Sequence, residues 1–297
     1  GYIYANGGNG NYVSNEGKYD GSGGGGRIAM YYDENLGFDF AKVVANAGST
    51  SIPTTNKPTA GTVYTQLAEE AGTVVLNNAN ASLPVFTNDA LQINGGTVEL
   101  ASGSVATSIT ATAATTIQNG NLEVTGDLVI TGGRYEQNGE LTVTGNFIVS
   151  EQAEFVQRGR LNIPSGNNIT VDNWIWVNDY GSQNWSDVVL QNYAVLKSSV
   201  EHKLELNAVN LRINDRGSKI DVSGLGYKKN QDIIGNAGAS HGGEGGTATE
   251  GETTNSTYGN YKNPTDFGYG GGTNPDNRGG GVAILNISGR LTNAGYI

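Results

Sequence analysis

The sequence predicts an all-β protein, a parallel β-solenoid (β-helix), and three observations lead to that prediction. No window of 12 or more residues keeps the apolar period of 3.6 that an amphipathic helix needs. Short alternating runs such as TVELAS, NLEVTG and KIDVSG occur instead, and they are typical of strands bounded by turn residues. Finally, one phrase recurs along the chain at a nearly fixed spacing.

The recurring phrase reads IQNGNLEVTG from Ile117, EQNGELTVTG from Glu136 and VQRGRLNIPSG from Val156. Its period of 19 to 20 residues fits one coil of a solenoid, in which equivalent residues stack about 4.8 Å apart. A β-sandwich is the competing architecture, but it does not require the same residue in the same place every 20 positions. We expect a right-handed solenoid with these stacked sets: Gly120, Gly139 and Gly159; Leu122, Leu141 and Leu161; Val124, Val143 and Ile163.

The interior and the corners of the coil follow from the alternation within each phrase. The leucines and the β-branched residues should form two interior ladders, whereas Glu123, Thr142 and Asn162 should face solvent. Gly120 and Gly139, each preceded by asparagine, should form corners with a left-handed backbone. A second strand should stack in the same way, and the segment 96–100 resembles an earlier copy of the phrase at Gly120, with an insertion between them. The second-strand set is Leu128–Ile130, Phe147–Val149 and Ile169–Val171.

Composition divides the chain into three predicted parts. Residues 1–65 form a glycine-rich loop module with strands, 66–222 form the solenoid core, and 223–297 form a second glycine-rich module with terminal strands. The two outer parts share one plan, in which a strand leads into a glycine-rich loop and a GGG run opens the next strand. Aromatic residues within these loops favour ordered loops over floppy linkers: Tyr12, Tyr19, Tyr258, Tyr261, Phe267 and Tyr269.

A family resemblance rests on these outer parts. The phrases GASHGGEGG, YGNYKNPTDFGYGGG and GGGVAILNISGRLTNAGYI, together with GYIYANGG and GGGGRIAMYY, resemble glycine-rich β-helix segments of very large secreted bacterial surface proteins of the adhesin-like type. The likeness covers about residues 1–65 and 217–297, and its motifs are loose. It implies an extracellular location at the bacterial cell surface and an adhesive or structural role.

The two outer parts also predict how such units associate. The phrase LTNAGYI continues into GYIYANGG as an uninterrupted alternating pattern, and neither phrase carries the polar cap that terminal repeats normally have. We therefore expect the chain to interact with itself head to tail, in tandem or as a non-covalent filament. The residues expected at this contact are Gly1, Tyr2, Ile3, Tyr4, Gly295, Tyr296 and Ile297.

Catalytic motifs do not emerge from the sequence, so we expect no enzyme activity. Polysaccharide lyases and glycosidases often use β-helices, but glycosidases need paired carboxylates at a set separation, and the available acids occur mostly singly. His202 resembles a solvated residue and His241 a hydrogen-bonding loop residue. A carbohydrate-binding or polysaccharide-cleaving β-helix is the alternative function. The acids available for such chemistry are Asp33, Glu34, Asp172, Asp179 and Asp187.

No cofactor is predicted, although calcium is possible because it prefers oxygen ligands from loops. Neither an EF-hand spacing nor a GGxGxD repeat is present, which favours solvated acidic loops. The calcium candidates in the glycine-rich loops are Asp20, Asp232, Glu244, Asp266 and Asp276.

The segment NWIWVNDYGSQNW holds all three tryptophans and interrupts the repeat. Trp174 and Trp176 alternate, which predicts that both point into the core. Trp185 is expected at the surface, where it and Tyr180 are candidates for stacking on a sugar ring.

The net charge and the absence of cysteine limit the classes of binding partner that the chain could have. The net charge of −11 opposes binding to nucleic acid or to anionic membrane, and the absence of cysteine removes disulfides and thiolate metal sites. No membrane insertion is expected. The first predicted partner is the chain itself, and the second candidate is carbohydrate or another cell surface.

Overall fold

The fold is all-β, and its strands stack in parallel from coil to coil as a β-solenoid, which confirms the predicted class. The computed structural model describes the chain except residues 11, 14–17, 20, 50–57, 59, 165, 182, 230–232, 248 and 275. A 3-10 turn, Phe40–Lys42, lies between the strands Arg27–Tyr32 and Val43–Val44. No helix in the described part of the chain has the length and hydropathy that a membrane span requires.

The first of two compact units comprises Gly1–Phe155 and Leu161–Asn167. Most of its strands pair in parallel, but β6 and β7, and also β2 and β3, pair antiparallel. Its strands are Ile3–Tyr4 (β1), Tyr12–Val13 (β2), Lys18–Tyr19 (β3), Arg27–Tyr32 (β4), Val43–Val44 (β5), Thr62–Leu67 (β6), Thr73–Leu83 (β7), Thr87–Leu100 (β8), Ser104–Gln118 (β9), Leu122–Val124 (β10), Leu128–Gln137 (β11), Leu141–Val143 (β12), Phe147–Ser150 (β13), the start of Glu154–Gln157 (β14) and Leu161–Asn162 (β15).

The second unit comprises Val156–Arg160 and Asn168–Ile297. Its strands between 168 and 293 also pair in parallel, each with the equivalent strand of the next coil. They are Asn168–Asp172 (β16), Ile175–Asn178 (β17), Asn184–Gln191 (β18), Val195–Lys197 (β19), Leu204–Ile213 (β20), Lys219–Ile220 (β21), Ala283–Ile287 (β22) and Leu291–Asn293 (β23). The predicted three-part division follows composition, and it remains a prediction.

The predicted leucine ladder is confirmed. Leu141 pairs in register with Leu122 on one side and with Leu161 on the other, and all three side chains are buried. Val124 and Val143 stack beside them in the interior, but Ile163 lies just beyond β15 and is only half-buried. The second-strand pairing also holds within this unit, where Leu128–Ile130 pairs with Phe147–Val149.

The predicted left-handed corners at Gly120 and Gly139 are wrong, because neither glycine has a positive φ. A Cβ atom on Gly139 would lie 2.3 Å from the Gly120 carbonyl carbon, and one on Gly120 would lie 2.2 Å from the Ser102 Cβ atom. Glycine recurs here because successive coils approach too closely for a side chain. The asparagines before the glycines form a ladder instead, with Asn138 Nδ2 donating to Asn119 Oδ1 at 3.2 Å.

Left-handed backbone occurs at a different corner of the same coils. Its residues are Gly95 and Gly96, then Ala113, then Gly132 and Gly133, then Glu151 and Gln152, with φ between 49° and 77°. The pairing of Gly133 with Ala114 places these corners above one another. The segment 96–100 belongs to this side of the coil, since Thr97 pairs with Thr115. Its assignment as a copy of the Gly120 phrase is therefore wrong.

The repeat contains buried glutamine side chains, which the sequence analysis did not predict. In the first unit, the Gln118 side-chain amide donates to the carbonyl oxygens of Gly120 at 2.7 Å and Glu140 at 2.8 Å. Gln137 repeats the first of these bonds with Gly139 at 2.9 Å. The glutamine two residues before each glycine thus bonds the carbonyl group where the chain turns into the next strand, and this explains the recurrent Q-x-G in the repeated phrase.

Backbone contacts hold together the described residues of the glycine-rich module in the second unit. Its glycine segments bond directly to one another: Gly226 N donates to Gly279 O at 2.8 Å and Gly268 N donates to Gly280 O at 2.9 Å. A Cβ atom on Gly279 would lie 2.2 Å from the Gly268 carbonyl carbon, so glycine is required for this contact. Such close backbone packing replaces the side-chain core that an ordinary loop would need.

Aromatic rings complete this module. Tyr227 packs against Phe267 and Tyr269, with ring centroids 5.2 and 5.1 Å apart, and Tyr258 packs against Tyr269 at 5.7 Å. Tyr261 was also expected to pack the loop, but 88% of its surface is exposed. The side chains of Tyr12 and Tyr19 lie outside the described residues.

The two glycine-rich modules share an equivalent backbone hydrogen bond. In the first unit, Gly26 N donates to Ala5 O at 2.7 Å. In the second unit, Gly281 N donates to Val222 O at the same distance. In both cases the last glycine of the GGG run bonds the residue that leads from a strand into the loop, so the two modules are built alike.

Candidate functional site

The tryptophan segment differs from its prediction in two of three side chains. Trp176 is fully buried as expected and donates from Nε1 to Gln157 Oε1 at 3.2 Å. Trp174 is 42% exposed because it precedes β17, next to Asn173 with φ 59°, so strand alternation does not apply to it. Trp185, expected at the surface, is only 5% exposed and packs edge-on against Trp176 at 6.0 Å.

A groove of about 390 Å³ lies beside Trp185. Its polar wall is an asparagine ladder, in which Asn207 pairs in register with Asn184 and Asn286, and Asn286 Nδ2 donates to Asn207 Oδ1 at 2.7 Å. Trp185 Nε1 is buried and, within the described chain, has no hydrogen-bond partner. The groove combines an aromatic edge with a row of amides, so it could hold a ligand rich in hydroxyl groups. The remaining lining residues are Ala208, Val209 and Ser288.

Tyr180, the second carbohydrate candidate, lies between β17 and β18 and is about two-fifths exposed. Its backbone amide donates to Asn178 Oδ1 at 3.3 Å, which fixes the turn that presents the ring. Tyr180 does not line the groove beside Trp185. The structure therefore does not assemble the two candidates into one site.

The acids considered for catalysis mainly connect neighbouring coils. Asp172 accepts hydrogen bonds from Gln191 at 2.9 Å and from Asn192 at 2.8 Å. Asp179 accepts two bonds of 2.6 Å from the amide and hydroxyl groups of Ser199. Asp187 accepts a bond from Asn210 Nδ2 at 2.8 Å. Partnered carboxylates of this kind link neighbouring coils.

Those calcium candidates that the structure describes do not converge. Asp20 and Asp232 lie outside the described residues. Asp276 accepts a bond from Lys228 Nζ at 2.7 Å, and this ammonium group lowers the pKa of the carboxyl. Glu244 and Asp266 are exposed. Within the described part of the chain, no three acids or histidines come close enough together to hold a metal ion.

The residues expected at a head-to-tail contact form two exposed surfaces. We define the head surface as Gly1 to Tyr4 and the tail surface as Leu291 together with Gly295 to Ile297. On the head surface, the Tyr2 and Tyr4 rings stack in parallel with centroids 5.6 Å apart. Next to it, a cavity of about 420 Å³ is lined by apolar side chains that include Ile3, Met30, Leu36 and Phe38.

The tail surface is carried by the last coil of the second unit. The backbone of Tyr296 is held in that coil, since Ile220 N donates to its carbonyl at 3.0 Å, yet its side chain is largely exposed. Leu291 pairs with Leu211, which is fully buried, but half of Leu291 itself is exposed. An aliphatic ladder that is interior one coil earlier thus becomes surface here.

Comparison of the chain with protein-family models, with curated proteins and with solved structures gives no significant match.

Proposed function

We propose that this chain is a structural and adhesive β-solenoid unit of an extracellular bacterial fibre or giant surface protein, and that its units associate head to tail or in tandem. The observation that carries the proposal is the tail surface, where Leu291 continues a buried ladder into solvent. Open solenoid coils expose backbone groups and apolar cross-sections that template a further chain. The exposed Tyr2, Ile3 and Tyr4 side chains support the head surface as the part of a second chain that packs on the tail surface.

The mechanism of such a unit is mechanical. Parallel hydrogen-bond ladders and stacked aliphatic side chains make each chain stiff. In the proposed fibre, the same ladders continue from one copy of the chain into the next. Head and tail are different surfaces, so their contact is heterologous. A heterologous contact that does not close into a ring grows into a filament. The glycine-rich loops are then presented repeatedly along the side of the fibre.

Two charged variants test the proposal. Tyr2→Asp disables the head surface and Leu291→Asp disables the tail surface. The parent chain should form filaments in electron micrographs at high concentration, whereas each variant alone should be monomeric in light scattering. Mixing the two variants should give dimers, since each retains one intact surface. Val85→Asp, at an exposed apolar residue elsewhere, is the control.

Outcomes of this experiment separate the possible contacts. Dimers formed by Leu291→Asp alone would indicate a head-to-head contact and contradict the proposal. A parent chain that stays monomeric at high concentration would also contradict non-covalent association. Circular dichroism of each variant checks that the fold is retained.

Carbohydrate binding is the second candidate function, and the groove beside Trp185 favours it. Its asparagine ladder offers amide donors and acceptors at successive coils, which suits a neutral polysaccharide. Affinity electrophoresis through gels containing neutral polysaccharides tests this function. Retardation of the parent chain that Asn286→Ala abolishes would support it, whereas equal mobility with and without polysaccharide would contradict it.

A further inference from the structure

A second cleft, separate from the groove at Trp185, lies within the glycine-rich module of the second unit. Its volume is about 330 Å³, which is at the lower end of the range for small-molecule sites. Three rings line it, those of His241, Tyr258 and Tyr261, and Asp266 adds a carboxylate. No role proposed above involves this cleft.

The back wall of the cleft is fixed by hydrogen bonds. Tyr258 Oη donates to the Phe267 carbonyl at 2.6 Å, and Tyr258 N donates to the His241 carbonyl at 2.9 Å. The rings of His241 and Tyr258 lie against each other with centroids 4.6 Å apart. This wall is preorganised, so a ligand that packs on it does not have to order it first.

Gly259 leaves the floor of the cleft open. Its φ of +93° disfavours any side chain, and a Cβ atom there would lie 2.9 Å from His241 Nε2 and 3.8 Å from Asp266 Oδ2. These two polar atoms therefore converge on the same open space. In the described part of the chain, neither His241 Nε2 nor the Asp266 carboxylate has a hydrogen-bond or ion-pair partner, so both are available to a ligand.

Tyr261 forms the outer rim. Its ring is 88% exposed, and the turn that presents it is held by Asn260, whose Oδ1 accepts bonds from the amides of Lys262 at 2.9 Å and Asn263 at 3.3 Å. The Asn260 side-chain NH₂ group is not used in these bonds and is a further donor at the cleft. An exposed tyrosine ring held by a constrained turn costs little entropy when it contacts a ligand.

We propose that this cleft binds one pyranose residue of a neutral glycan. Sugar rings present apolar C–H faces to aromatic rings and hydroxyl groups at their edges. The Tyr261 ring would supply the apolar contact, the Asp266 carboxylate would accept bonds from hydroxyl groups, and His241 Nε2 would bond a neighbouring hydroxyl group. The inference rests on the adhesive role proposed above and names its ligand class.

Charge distinguishes a neutral sugar from the other ligands that the rings could accept. The Asp266 carboxylate and the net charge of −11 disfavour an anionic glycan. A cationic ligand is disfavoured because Lys262 Nζ already lies 5.7 Å from the Tyr261 ring centroid. A neutral ligand uses the same rings and the same carboxylate without either repulsion.

The test applies the parent chain to a glycan microarray of neutral, sialylated and uronic-acid-containing oligosaccharides, followed by saturation-transfer NMR on the strongest neutral binder. We expect binding to neutral glycans. Asp266→Ala and Tyr261→Ala should each weaken it by about tenfold or more, since a hydrogen bond to a charged group and an aromatic contact are each lost. Glu123→Gln, which removes one exposed carboxylate from the first unit, should leave this binding unchanged and serves as the control.

Several results would overturn the inference: no glycan binding, binding to acidic glycans only, displacement by a quaternary ammonium salt, or neutral-glycan binding that neither cleft variant weakens. Thermal unfolding of both variants verifies that they are folded. Repeating the array with the Tyr2→Asp and Leu291→Asp variants separates this inference from the assembly proposal. Binding by these monomers would support the cleft even if the parent chain forms no filaments.

Discussion

Replacing Gln118 with methionine would remove three hydrogen bonds from the interior of the first unit while leaving a side chain of similar length. The amide of Gln118 donates to the carbonyls of Gly120 and Glu140, and its Oε1 accepts a bond from Tyr135 Oη at 3.3 Å. Gln118 and Tyr135 are both fully buried, and burial raises the pKa of the Tyr135 hydroxyl. Water therefore cannot easily replace the lost partner.

The expected cost follows from these three bonds. Each neutral hydrogen bond contributes about 0.5–1.5 kcal/mol, so losing three should lower the free energy of unfolding of Gln118→Met by about 1.5–4.5 kcal/mol. Urea titrations followed by far-ultraviolet circular dichroism measure this difference. Glu123→Gln, at an exposed position of the adjacent strand, should stay within about 0.5 kcal/mol of the parent. A Gln118→Met variant as stable as this control would refute the assigned role of the buried glutamines.

Four other outcomes are expected. Leu141→Ala should cost about 2–5 kcal/mol in the same titration, because it empties the centre of the leucine ladder; a cost below about 1 kcal/mol would contradict the buried position. Gly139→Ala should cost at least about 2 kcal/mol because of its backbone contact, whereas Gly103→Asn, in open space with φ +84°, should cost less than about 1 kcal/mol; the reverse order would argue against close approach. The Asp221 carboxyl, hydrogen-bonded by Lys219 at 2.6 Å, should titrate in carbon-13 NMR with a pKa of about 2. Because this folded-state pKa is lowered from 3.8, the ionised Asp221 carboxylate stabilises the folded state above about pH 4, and this stabilisation is lost as the pH falls towards 2. Lys219→Met should raise the pKa of Asp221, and an unchanged pKa would rule out Lys219 as the cause of the shift. Finally, incubation with neutral and acidic polysaccharides should release neither reducing ends nor unsaturated sugars, and turnover abolished by one carboxylate substitution would identify an active site instead.

The sequence predicted the solenoid and its ladder because stacking requires like residues at equal spacing. Leu122, Leu141 and Leu161 keep that spacing, and the pairing confirms it. The sequence could not reveal why glycine recurs in the same phrase. Both a left-handed backbone and a close backbone contact select glycine, and only coordinates separate the two at Gly120 and Gly139.

The prediction of side-chain orientation was wrong where the strand pattern is interrupted. Trp174 and Trp176 alternate in sequence, but a left-handed residue at Asn173 delays the strand until Ile175, so Trp174 lies outside the strand. Trp185 is expected at the surface from the sequence, yet it packs on Trp176. The His241 cleft was missed because its residues are spread over 26 positions of glycine-rich chain and come together only through the fold.

The left-handed corner of the first unit has a consequence for the order in which its coils form. Glycine at Gly95–Gly96 and Gly132–Gly133 adopts this geometry at no steric cost, but Ala113, Glu151 and Gln152 each pay about 1–2 kcal/mol for it. A coil with glycine at this corner can therefore form first and serve as a template. In the neighbouring coils, only stacking on that template offsets the unfavourable conformational free energy of the left-handed residues. Folding should nucleate at the two double-glycine coils, reach the coil between them next, and include the Glu151–Gln152 corner last.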